Sequence, residues 1–131
     1  MGFLKDRKNA KELENTYNQV SAFRKKMEQL TLEDSKLDIQ ATYDKCEELL
    51  TKIASAKEIV KEDLNKSRDV LMNSWFATRD ALAYEYNIHQ KRLAYLETSE
   101  KELSEIKNSM LQNGAQPKNQ TTTEPSPEPG N

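Results

Sequence analysis

The sequence predicts an all-α protein whose long helices form a helical hairpin or a coiled-coil-type bundle, followed by a disordered C-terminal tail. Three observations lead there. Glycine occurs only at 2, 114 and 130 and proline only at 117, 125, 127 and 129, so residues 3–113 contain no helix breaker. Within that stretch apolar residues recur at alternating spacings of three and four, the repeat of helices that meet other helices. Charge is dense but balanced, with 20 Lys and Arg against 22 Asp and Glu, which suits solvated helix faces better than a repelling coil.

The first helix is expected over about residues 8–30, where Ala10, Leu13, Tyr17, Val20 and Met27 share one face with Arg24 in the seam and Phe23 beside it. A second, over 34–66, carries Ile39, Tyr43, Cys46, Leu50, Ile53 and Val60, with Lys57 interrupting; Leu64, Ser67 and Leu71 extend the same phase. A third, over 68–111, carries Trp75, Leu82, Tyr86, Leu93, Leu96, Leu103 and Met110 in a phase displaced by one residue, which implies local unwinding or a change of helix partner near Trp75. Outer faces add Glu48–Lys52, Glu62–Lys66 and Glu97–Lys101 in the favourable order.

A narrow apolar stripe cannot bury itself, so the chain must fold back. Thr31–Ser35 offers capping chemistry for one turn, with Thr31 and Asp34 spaced like a capping box and Ser35 as a second cap. The other turn falls at Asn65–Arg68 or somewhat later at Asn73–Ser74, and a kink or a continuous helix there remains open. An unbroken helix from 34 to 110 would reach about 115 Å, most of it unmatched. Gly114 supplies a helix stop, so residues 1–111 are read as the helical domain and 112–131, rich in Pro and Thr, as the tail.

Composition excludes several function classes. Neither sign of charge dominates, so nucleic acid is not an expected partner. No apolar run approaches membrane-spanning length and the start has no signal-peptide core, so a cytoplasmic chain without stable membrane insertion is expected. Asp6 stands where a myristoylation motif wants Ser or Thr, and Phe3 and Leu4 beside Lys5, Arg7, Lys8 and Lys11 read as a solvated helix start rather than a membrane contact. The lone Cys46 is expected in the core. The lone His89 has no second histidine or cysteine pair, so no metal site of the usual kind, no cofactor and no catalytic site are expected: the chain reads as a non-enzyme.

What remains is an aromatic concentration, Trp75, Phe76, Tyr84, Tyr86 and Tyr95, interleaved with Met72 and alanines at 77, 81 and 83. Such alternation fills helix interfaces, and a lone Trp on a thin helix is hard to bury within one chain. The expected partner-binding residues are Trp75, Phe76, Leu82, Tyr86, Leu93 and Leu96, with Trp75 and Phe76 as the anchor.

The segment Leu71-Met72-Asn73-Ser74-Trp75-Phe76-Ala77, followed by a helix ending Leu96-Glu97-Thr98-Ser99-Glu100-Lys101-Glu102-Leu103, resembles the small helical accessory proteins of Gram-positive type VII secretion, WXG100-like chains that escort LXG-domain toxins. The resemblance covers about residues 10–111 in layout, but specific similarity is confined to the Trp75 neighbourhood and the helix after it. Ala77 stands where a WxG turn has Gly, which puts a tight left-handed turn in doubt and allows Trp75 to lie within a helix. A Tyr-x-x-x-Asp/Glu export signal matches at Tyr43–Glu47, and an aromatic variant at Phe76–Asp80, neither at the C-terminal end of the helical region. The resemblance implies an adaptor that binds the helical N-terminal domain of a toxin, with or without a second small helical protein, and supports its export; whether the adaptor is co-exported without a Sec signal peptide or stays behind is left open. The rival expectation is a self-assembling coiled-coil scaffold of phage or conjugation type, a homo-oligomer.

Overall fold

The structure, a computed structural model, describes residues 2–33 and 37–117. Three long α-helices follow one another: α1 (Gly2–Glu33), α2 (Ile39–Met72) and α3 (Arg79–Gln112), with a short 3-10 turn at Phe76–Thr78. No strand occurs among the described residues. At about 1.5 Å per residue, α2 and α3, each 34 residues, run for about 50 Å.

The second reversal lies at 73–78, the later of the two expected places. Helix α2 continues through 65–68, where no breaker stands and Ser67 is buried, so the expected helix limits of 66 and 68 are replaced by 72 and 79. What stops α2 is competition from short polar side chains for its last carbonyls. Asn73 Nδ2 donates to the Asp69 carbonyl at 2.9 Å and Ser74 Oγ donates to that of Leu71 at 2.8 Å. Of the first junction, Asp34 and Ser35 lie outside the described residues, while Thr31 belongs to the α1 backbone. The cap that is described is Asp38, whose carboxylate accepts the Ala41 N–H at 3.0 Å.

Helices α2 and α3 are the most closely packed pair and run antiparallel, as shown by Lys57–Glu100, Lys107–Glu47 and a reciprocal pair of hydrogen bonds between Gln40 and the Gln116 backbone. Helix α1 lies parallel to α3, with Arg24 meeting Glu102 and Tyr17 meeting Tyr95. The result is an up-down-up three-helix bundle. One end holds the α2–α3 turn and the start of α1; the other, the tail end, holds the α1–α2 junction and residues 113–117.

The core consists of Leu13, Val20 and Phe23 of α1, Cys46, Leu49, Ile53, Ala56 and Val60 of α2, and Leu96 and Leu103 of α3. Their spacing of three and four is the predicted repeat, but α2 buries residues on both sides of its expected seam. Leu49 and Ala56 are fully buried where Leu50 and Lys57 were expected. The charged seam positions are used instead for inter-helix pairs: Lys57 to Glu100 at 2.8 Å and Lys107 to Glu47 at 3.6 Å. Each large side chain fully buried here contributes about 1.5–3 kcal/mol before ordering entropy.

At the tail end α3 closes with a Schellman motif. Gly114 adopts φ +111°, its N–H donates to the Leu111 carbonyl, and the Ala115 N–H donates to that of Met110. Ala115 then packs with Met110 and Tyr43 in a small second cluster, so the chain stays on the bundle to residue 117. Of the tail expected from 112, residues 118–131 lie outside the described residues.

Candidate partner-binding surface

The apolar core stops short of the turn end. Its outermost members are Leu13, Val60 and Leu96, and beyond them, over residues 2–12 and 61–92, no described hydrophobic side chain is buried. The positions that continue the core phase are polar. Ser67 is buried with its hydroxyl unpartnered, and the His89 side chain is only 12% exposed, its Nδ1 buried without a partner and its Nε2 3.8 Å from Glu85. Burial raises the Asp63 carboxyl above its usual range, against the opposing pull of His89 and Lys66. One layer below, the Tyr17 hydroxyl is also buried and unpartnered, and burial raises its pKa too.

The outside of the same third is the reverse. Leu4, Val70, Met72, Trp75 and Tyr84 are each at least half exposed, Trp75 the most at 84%, and no other large hydrophobic among the described residues is so exposed. This third of the bundle thus has polar groups at core positions and its most exposed large hydrophobics outside. Folding does not favour that arrangement, since burial of apolar surface is its main driving term and unpaired buried polar groups cost free energy.

The sequence-predicted residues divide between the two regions. Trp75 lies not within a helix but in the turn before the 3-10 segment, its carbonyl accepting the Thr78 N–H at 3.0 Å. The Phe76 side chain lies outside what the structure describes. Leu82 and Tyr86 are partly exposed on α3 near the turn. Leu93 packs against the main core and Leu96 is fully enclosed in it, so these two serve the chain's own fold. The structure adds Val70 and Leu4 to the apolar surface. Their signal in the sequence is a phase mismatch: Val70 sits beside Leu71 rather than on its stripe, and Leu4 precedes the first apolar repeat.

The expected export-signal match at Tyr43–Glu47 is a structural pair. Tyr43 is 1% exposed and its hydroxyl donates to Glu47 Oε2 at 3.1 Å.

A polar cleft of about 560 Å³ opens between the helices near this end, lined by Asp6, Glu14, Tyr17, Asp63, Lys66 and Arg92 among others. Its charges are of both signs, and among the described residues no group of three or more His, Cys, Asp or Glu side chains is placed to hold a metal ion. No helix among the described residues is long and apolar enough to cross a membrane. Fold and surface together define a three-helix bundle with an unsatisfied end. Comparison with known proteins finds no family model that matches the chain, and no matching curated protein or solved structure.

Proposed function

We propose that this chain is a non-enzymatic helical adaptor that binds helices of a protein partner through its turn end. The observation that carries the reading is the turn-end third: large apolar side chains, Trp75 foremost, face solvent while the Ser67 hydroxyl and His89 Nδ1 are buried without partners. The partner class comes from the resemblance of residues 71–77 and 96–103 to type VII secretion accessory proteins, and the position of Trp75 in a turn between two antiparallel helices supports it. On this reading the partner is the helical N-terminal domain of an LXG-type toxin, engaged in the cytoplasm before export. The rival reading, a self-assembling scaffold, is weakened because the heptad seams meet one another inside a single chain.

The test is co-expression with the helical N-terminal domain of an LXG-type toxin. The wild-type chain is expected to co-purify with it, and Trp75→Ala to lose most of the complex while keeping its helical content, because the indole supports nothing in the free fold. A Trp75→Ala protein that co-purifies at wild-type level would remove the anchor. A concentration-independent homo-oligomer in light scattering, with no toxin bound, would favour the scaffold.

A further inference from the structure

We infer that the element seated on the turn end is an amphipathic helix whose apolar stripe is flanked by Asp and Glu side chains. The inference rests on the adaptor reading above and names the chemistry of its partner. Residues 2–12 and 61–92 carry ten Lys and Arg against seven Asp and Glu, whereas the rest of the chain carries ten against fifteen. The exposed apolar surface therefore sits at the basic end of an otherwise acidic molecule. Helix dipoles add to the asymmetry, because the amino termini of α1 and α3 lie at this end and only one carboxyl terminus, that of α2, opposes them. Exposed Lys5, Lys8 and Arg68 flank Leu4, Val70 and Met72 along the sequence, so a partner that covers the apolar side chains brings its own rim close to these cations.

Two features favour a helix over the other acidic surface that fits, an anionic bilayer. The turn-end cations alternate with carboxylates, Asp6 between Lys5 and Arg7, Asp69 after Arg68, Asp80 after Arg79, and a plane of uniform negative charge meets both signs where a side-chain pattern can match each. Val70, Trp75 and Leu82 also line one shallow groove across the α2–α3 turn, a shape that the side-chain ridge of a helix can enter. A second copy docked through the same turn end is disfavoured because like-charged ends would meet.

The experiment compares three full-length proteins against the toxin domain: wild type, Lys5→Glu/Lys8→Glu/Arg68→Glu, and Lys25→Glu/Lys26→Glu/Lys101→Glu as a reversal of equal size away from the turn end. Circular dichroism first establishes that each is folded. The turn-end reversal is expected to weaken binding at least about tenfold and the control less than about threefold, and wild-type binding is expected to fall by about tenfold between low and high salt. If the turn-end reversal binds as wild type while Trp75→Ala does not, the acidic rim is wrong and the adaptor reading stands. If no complex forms with wild type, both fall. Sedimentation with phosphatidylcholine vesicles containing a quarter phosphatidylglycerol supplies the remaining arm: wild-type binding that the turn-end reversal abolishes makes lipid the occupant and overturns the helix.

Discussion

Arg24 of α1 grips Glu102 of α3 with two parallel hydrogen bonds, Nε to Oε1 at 2.8 Å and Nη2 to Oε2 at 2.9 Å, while its Nη1 donates to Ser99 at 3.0 Å. The guanidinium also lies 5.2 Å from the centroid of the Tyr95 ring. A planar fork satisfied on three sides is pre-organised in a way a single point charge is not. It fixes the register of α1 against a hairpin that it otherwise touches with few large side chains. Arg24→Lys is therefore expected to recover little of the roughly 1–2 kcal/mol lost in Arg24→Ala, as read by urea denaturation. Equal stability of the lysine variant and wild type would show that charge alone suffices.

Leu96 and Leu82 separate the fold from the surface. Leu96 is fully enclosed, so Leu96→Ala is expected to cost about 2–5 kcal/mol. Leu82 lies outside the core cluster and partly exposed, and Leu82→Ala is expected to cost less than about 1 kcal/mol. Thermal unfolding of the two variants measures the contrast, and similar losses would mean that the apolar core extends to the turn end.

Cys46 is fully buried, and burial pushes its thiol up to about 11, with Lys107 pulling weakly the other way. Since only the thiolate attacks, the native protein is expected to resist thiol reagents at pH 8 and to react at the rate of global unfolding. Rapid labelling without denaturant would show that the α1–α2–α3 interior opens locally.

Asp63 predicts a pH dependence of definite sign. Its folded carboxyl is raised by burial, so the folded chain holds its proton more tightly than the unfolded chain does. The group therefore lowers stability as pH rises from the unfolded carboxylate range through the folded value, and acidification across that window restores it. Asp63→Asn is expected to be slightly more stable at pH 7, by less than about 0.5 kcal/mol because water still reaches the carboxyl, and to lose this part of the pH slope. A variant less stable than wild type at pH 7 would mean that attraction to His89 and Lys66 outweighs burial.

The fold was legible because breakers and periodicity act locally. The long gap between Gly2 and Gly114 dictates helices, and the three-four spacing dictates that they pack together. Two things were not legible in the repeat. Seams written as single stripes gave Leu50 and Lys57 in place of Leu49 and Ala56, because a helix between two neighbours buries both flanks of its stripe. The second turn depended on Asn73 and Ser74 bonding back to α2 carbonyls, a signal as weak in sequence as the one at 65–68, which the bundle overrides. The surface was half legible: aromatic density pointed to Trp75, but an exposed Val70 and an enclosed Leu96 differ only in which helix stands opposite, and no single segment records that.

The Schellman closure at Gly114 also fixes where residues 115–117 lie. With Ala115 packed on Met110 and Gln116 bonded to Gln40, residue 117 sits at the end remote from Trp75, about one helix length, or 50 Å, away. A dye attached at exposed Asn113 of that end is held at arm's length from the indole and reports on the molecule without shading the face that Trp75 presents.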